Sequence, residues 1–274
     1  MPSPPSIGFL KLLLLGIVTA YLVLAIFALL FGNRLSFPAL PSTYIDSEDI
    51  MKFSYAEDRS AVSMVFLKHP ESRYLVFYHH GNQEDLQSIL PRLEALRSSG
   101  FSVLAWDYPG YGTSNGRPSE DLILEISAQI MESVPAALGF SQEQVIQYGR
   151  SIGSGPAIAL ARRLPAAGLI LEGAFTSIFR VVTRIRILPW DIFNNIKNIG
   201  AVHCPVLFLH GTDDKTVPFH HGRTLYNRAP EPKFFAWFET GRHNDLPTDF
   251  SDTYLSSVSR FREFLETRRS GQQE

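Results

Sequence analysis

Cysteine is nearly absent from this chain: Cys204 stands alone among 274 residues, so no intrachain disulfide can form. No Asn-x-Ser/Thr acceptor occurs, which excludes N-linked glycan by that route. Charge of one sign is lacking too. With 25 Lys and Arg against 27 Asp and Glu the formal net charge is -2; the cations are scattered, and without a basic field nucleic acid is excluded as a partner. Internal repeats and low-complexity tracts are missing. Cofactor signatures fail on spacing: Gly153 and Gly155 open a G-x-G-x-x-G whose third position is Ile158, and no G-x-x-x-x-G-K-[ST] exists. His79 and His80 are adjacent, so an extended backbone turns them to opposite faces, and neither H-E-x-x-H nor H-x-H-x-D occurs. Neither a cofactor nor a metal is expected. Cys204, just before an apolar run, reads as a small hydrophobe.

What the chain does contain begins with Leu12 to Phe31, LLLLGIVTAYLVLAIFALLF, a run without a charge. About 20 such residues make a helix of about 30 Å, the thickness of a hydrocarbon core. A cleaved signal has a shorter apolar region and a small-x-small site, which the following GNRLSFP lacks, so residues 1–35 are expected to be a retained single-pass anchor. Lys11 and Arg34 flank it evenly and assign no side of the membrane. Residues 36–50, polar and proline-bearing, read as a linker, and residues 51–274 as one catalytic domain.

Beyond the linker, extended runs at Met51 to Tyr55, Ala61 to Leu67 and Tyr74 to His79 open a sheet. Strand-like and helical patterns then alternate. VLAWD precedes a helix near Ser119 to Leu138, VIQYG precedes Gly153 to Arg163, and GLILEG precedes a less regular stretch. Val206 to His210, a helix near Gly222 to Asn227, Lys233 to Glu239 and a last helix from about Asp252 to Arg268 complete the series. A mostly parallel sheet with helices on both faces follows, with chemistry expected on loops at the carboxyl ends of the strands.

Gly149-Arg150-Ser151-Ile152-Gly153 fits G-x-S-x-G between a predicted strand and a predicted helix, the setting that a nucleophile elbow needs. The turn is so tight that the flanking positions must lack bulk. A serine hydroxyl is a poor nucleophile at neutral pH and needs a base, which needs an orienting carboxylate. His243, in the loop before the last helix, is the candidate base. His203 precedes a strand, His210 ends one, and His220 with His221 opens a helix, so these read as capping or packing residues. The acid should follow VLFLH, where Asp213 and Asp214 stand side by side and only one can face His243. The oxyanion donors are expected to be the backbone N–H of Ile152 and of Asn82, the latter in FYHHGNQED after the third strand.

DYPGYGTSNGRPSE at Asp107 to Glu120, GRSIGSGPA at Gly149 to Ala157, CPVLFLHGTDDKTVP at Cys204 to Pro218 and GRHNDL at Gly241 to Leu246 together resemble the membrane-anchored α/β-hydrolase-domain branch over nearly the whole chain after the anchor. That family includes protein depalmitoylases and lysophospholipases. The resemblance implies an α/β-hydrolase fold, a short lid and a Ser-Asp-His triad. It selects Asp214, which precedes a two-residue spacer and Val217-Pro218, and it matches His243 as the histidine. The chain departs from the family in having no N-terminal cysteine cluster, and in carrying Arg242 where a small residue usually precedes the histidine.

The expected function is hydrolysis of carboxylic esters or thioesters through an acyl-enzyme, on small-molecule or lipid acyl substrates near a membrane. An aminopeptidase-like serine peptidase and an inactive binding protein are the alternatives. The lid, about 173–204, is too short for a large enclosing cap, and its Phe179, Ile185, Ile187, Leu188, Pro189, Trp190, Ile192 and Phe193 either pack its own core or line an acyl pocket.

Overall fold

The computed structural model describes residues 6–56 and 60–270. A 30-residue helix α1 (Ile7–Ser36), capped by the Ser6 hydroxyl accepting from Phe9 N–H, contains the apolar run. It is the one helix among the described residues long and apolar enough to cross a membrane, and its side chains are almost all exposed.

Eight strands form one sheet in the order β1-β2-β4-β3-β5-β6-β7-β8. They are β1 (Met51–Ser54), β2 (Ala61–Leu67), β3 (Leu75–His79), β4 (Ser102–Trp106), β5 (Val145–Arg150), β6 (Gly168–Glu172), β7 (Val206–Gly211) and β8 (Lys233–Phe238). Only β2 runs against its neighbours; from β4 to β8 every pairing is parallel. The period-two alternation of the strands decides which helices they meet. Val76, Tyr78, Val103 and Ala105 pack with α2 (Leu86–Ser98) and the last helix α9 (Ser251–Ser270). Leu75, Phe77, Leu104 and Trp106 pack on the other face with α3 (Glu120–Ala137). Further along that face lie α4 (Ser154–Arg163) and α7 (His220–Arg228).

Helix α2 has no counterpart in the sequence reading, because Pro91 interrupts the pattern. Its apolar stripe of Leu86, Ile89, Leu93 and Leu96 is fully buried, and Asp85 and Ser88 form a reciprocal capping box. That burial outweighs the backbone donor lost at Pro91. The lid between β6 and β7 contains α5 (Ile178–Thr183), α6 (Asn195–Asn198) and a short 3₁₀ turn; a one-turn α8 (Leu246–Asp249) precedes α9.

Because β3 lies between β4 and β5, the chain leaving β3 turns one way and the chain leaving β5 the other. The crevice between those carboxyl ends is the topological switch point of the sheet. The stretch after α1 is held against this end of the domain. Thr43 donates its N–H and hydroxyl to the Asp85 carboxylate, and Tyr44 donates its hydroxyl to Asp107 at 2.5 Å.

Asp107 is buried beside His80, whose Nδ1–H donates to Gly81 O at 2.8 Å and leaves Nε2 as an acceptor 3.4 Å from the Asp107 carboxyl. Burial first, then the Asp85 charge, raise this carboxyl to about 7 against the lowering pull of the Tyr44 hydroxyl. A carboxyl whose folded pKa is raised stabilises the fold while protonated, and that contribution is lost as pH rises through about 7. The expected slope is up to roughly 1.4 kcal/mol per pH unit between the unfolded carboxyl's value of about 4 and about 7, and it levels off above that point. Asp107→Asn is expected to flatten the fall in thermal midpoint between about pH 4.5 and pH 7; an unchanged slope would show that another group titrates there.

Candidate active site

The site starts with the turn out of β5. Ser151 has φ +49°, a left-handed conformation uncommon for a residue with a side chain, and the chain enters α4 through a single 3₁₀ turn. The two flanking glycines are needed for contact between backbones. A Cβ on Gly149 would lie 2.6 Å from Gly153 O, and one on Gly153 only 2.1 Å from His79 O. Ser154 donates its hydroxyl to Ser151 O at 2.7 Å and accepts from Asn195 Nδ2 at 3.1 Å, so a lid residue buttresses the turn.

At the end of β7, Asp214 Oδ1 accepts from the N–H groups of Thr216 and Val217 at 2.9 and 2.7 Å, and Oδ2 accepts from His243 Nδ1–H at 2.6 Å. Asp213 turns away, half exposed and paired with Lys215. The structure therefore brings His243 together with Asp214. Burial alone would raise the Asp214 carboxyl, but hydrogen bonds from His210 and His243, with the charge of His243, outweigh it and hold it well below the usual carboxylate range. Sequence reasoning placed His210 among packing residues; its Nε2–H donates to Val217 O at 2.9 Å and stands 3.4 Å from Asp214 Oδ2, so it braces the acid loop. Arg150 and Glu172 pair across β5 and β6, which makes Ser151 and Gly173 neighbours at the strand ends. Gly173 has φ +57°, and a Cβ there would lie 2.9 Å from His243 Cε1, so the imidazole lies over the ends of β5 and β6. Arg242, beside it, is exposed, and its backbone N–H donates to Asp245.

Across the crevice, the loop after β3 carries Asn82. Its amide is fixed from two sides: Nδ2 donates to Ser36 O at 3.0 Å and Oδ1 accepts from Tyr111 Oη at 2.7 Å. Ile152 is buried against Phe37, Ile192 and Phe193. His79 and His80 both serve packing. His79 Nδ1 accepts from Trp106 Nε1 at 3.0 Å and its Nε2–H faces Gln147 Oε1 at 3.1 Å, while His80 stacks on Tyr108. Burial keeps both imidazoles neutral by lowering their pKa values.

Behind the site lies an ionic network that sequence reasoning missed. Arg150, 3% exposed, binds Glu84 Oε1 at 2.6 Å, Glu172 Oε1 at 3.3 Å and Asn244 Oδ1 at 2.5 Å, and also reaches His243 O at 3.3 Å. Arg92 binds Glu172 at 2.9 Å and Asn244 O at 3.0 Å, and Tyr148 and Tyr254 donate to the other Glu172 oxygen. Glu84 Oε2 in turn accepts from Gly81 N–H at 2.5 Å. One guanidinium thus ties together the loops of Ser151, Asn82 and His243. Burial would raise Glu172, but Arg92 and Arg150 outweigh it and keep the carboxylate ionised. Arg150→Met is expected to lower the unfolding free energy by about 3 kcal/mol, the size of a broken buried pair, read from a denaturant midpoint. A loss below about 0.5 kcal/mol would mean the pairs contribute no more than surface contacts do.

An acid and a histidine on the last two strand ends, facing a left-handed serine turn across a doubly wound sheet, is the architecture of the α/β-hydrolases. The comparisons agree. A family model described as serine aminopeptidase, S33 (Hydrolase_4) matches residues 70–192. The mouse alpha/beta hydrolase domain-containing protein 17C is 33% identical over 226 residues, covering 81% of this chain and 68% of its own. The Caenorhabditis elegans protein aho-3 is 32% identical over 228 residues, covering 80% and 66%. Among solved structures, the Pyrococcus furiosus esterase Pf2001 superposes with a TM-score of 0.68 at 16% identity, over 83% of this chain and 98% of that one. A Paleococcus ferrophilus monoacylglycerol lipase gives 0.59 at 20% identity, over 74% and 98%. The chain belongs to the α/β-hydrolase superfamily, in the branch that holds the alpha/beta hydrolase domain-containing proteins 17, and is a hydrolase by fold and family.

Proposed function

We propose that this protein is a serine hydrolase that cleaves carboxylic ester or thioester bonds through an acyl-enzyme, on acyl substrates presented at a membrane into which α1 inserts. The observation that carries the reading is the 2.6 Å bond from His243 Nδ1 to Asp214, over strand ends where Ser151 holds a strained left-handed turn. The bond fixes the proton on Nδ1, so Nε2 is the basic nitrogen. Ser151 Oγ attacks the acyl carbon as its proton passes to His243 Nε2, and the oxyanion is received by the N–H groups of Ile152 and Asn82. His243 then protonates the departing alkoxide or thiolate. Water, deprotonated by the same nitrogen, releases the acid and restores Ser151.

The description serine aminopeptidase raises the peptidase alternative. A free α-ammonium needs a carboxylate near the serine, yet Asp191 is the single carboxylate between residues 173 and 204. It is already held by Arg180 at 3.4 Å and by the N–H groups of Phe179 and Ile192. This favours acyl over aminoacyl substrates. Comparing acetyl, butyryl, octanoyl and palmitoyl esters and thioesters with aminoacyl amides, below micelle-forming concentrations, tests the reading. Esters and thioesters are expected to be turned over with kcat/KM rising with chain length; preference for aminoacyl amides would overturn it.

A further inference from the structure

Between the carboxyl half of α1 and the lid runs an apolar groove of about 290 Å³. Leu24, Phe27 and Ala28 stand on the α1 side and Phe179, Val182 and Trp190 on the lid side. The charged groups along it and the Thr183 hydroxyl are engaged with the protein itself. Arg186 donates to the carbonyls of Leu188 and Pro189, Thr183 Oγ1 to those of Phe179 and Ile185, and Asp191 is held as described above. What an occupant meets is mainly hydrocarbon.

The lid divides its apolar residues between two roles. Leu188, Ile192 and Phe193 are buried, whereas Val182 is 83% and Ile185 67% exposed, right beside the exposed apolar surface of α1. In water this combined surface would be costly; against a bilayer that receives α1 it is matched. The groove opens on that surface. Its inner end lies at the oxyanion loop: Ser36, in the groove wall, accepts from Asn82 Nδ2 at 3.0 Å. There α1 is docked closely. A Cβ on Gly32 would meet Phe179 and Ile192 at 3.4 and 3.5 Å, and Phe37 packs edge-on against Phe193 with ring centroids 5.7 Å apart.

We infer that this groove binds the acyl chain of a membrane-embedded ester or thioester, which enters sideways from the bilayer with α1 as one wall. The anchor is then part of the substrate site as well as a tether. The inference rests on the acyl-hydrolase reading of the Ser151 site and adds the route and the wall. A chain lying in the groove has its carbonyl end toward Asn82 and Ile152 and its methyl end toward the lipid.

The test uses the full chain in phosphatidylcholine nanodiscs and reads the ratio of kcat/KM for a palmitoyl thioester to that for an acetyl thioester. Ala28→Trp and, separately, Val182→Trp narrow the groove from its two walls, and labelling by a fluorophosphonate confirms that each variant is folded. Each is expected to lower the ratio by about tenfold or more, as loss of several methylene contacts requires. An unchanged ratio in both folded variants would overturn the groove assignment while leaving the hydrolase reading intact. A second arm does not depend on turnover: a diazirine-bearing palmitic acid in the nanodisc is expected to crosslink to peptides of residues 24–36 and 178–190. Crosslinks confined to the membrane-facing surface of residues 7–23 would also overturn it.

Discussion

Ser151→Ala is expected to lower kcat for a short p-nitrophenyl ester by roughly 10³-fold or more, with His243→Ala falling by a similar factor. The two groups work as a unit. Without His243 the hydroxyl has no base, and without Ser151 the imidazole has nothing to activate, so the double variant should be no worse than either single one. Folding should survive in both. Ser151 Oγ makes no hydrogen bond among the described residues, and removing the His243 ring still leaves the Asp214 carboxylate the N–H groups of Thr216 and Val217 and the adjacent His210. Activity retained in either variant, with an unchanged unfolding transition, would remove the triad.

The adjacent carboxylates separate more sharply still. Asp214→Asn is expected to reduce kcat by about 10⁴-fold, because an amide can present its N–H to His243 Nδ1 and so hold the imidazole in the wrong tautomer. The same change leaves the Thr216 and Val217 N–H groups an oxygen to bond, so geometry is largely kept. Asp213→Asn should alter kcat less than about twofold, since its carboxylate faces Lys215 and solvent, where ion pairs contribute little. The reverse ranking would place the acid one residue earlier.

The parts of this account visible in the sequence are those whose physics is local. The strand-elbow-helix turn announces itself because Gly149 and Gly153 must meet backbone atoms that a Cβ would strike. Residue type and chain order left Asp213 and Asp214 open; only the family resemblance, through Val217-Pro218, pointed to Asp214, which the structure bonds to His243. The strands were legible from their apolar runs, whereas α2 was hidden by Pro91, whose effect on a helix depends on how much the rest of it buries. The Arg150 network was out of reach for a different reason. Its partners lie at residues 84, 92, 172 and 244, and only the sheet order brings them within 3.3 Å. His210 is buried, as a packing residue should be, but a histidine that only packs and one that also braces a carboxylate look alike until Val217 O and Asp214 are seen around it. The docking of α1 on the lid was likewise hidden, since an apolar run reads the same whether or not it packs on the domain that follows it.

The central claim is that Ser151 is a nucleophile activated by His243 and Asp214. It is tested most directly by treating the full chain with a fluorophosphonate, digesting it and locating the adduct by mass spectrometry, with Asp214→Asn labelled in parallel. The account predicts a single adduct on the peptide containing Gly149-Arg150-Ser151-Ile152-Gly153, formed far more slowly in Asp214→Asn. An adduct on another serine, or no adduct on a protein that remains folded, would contradict it.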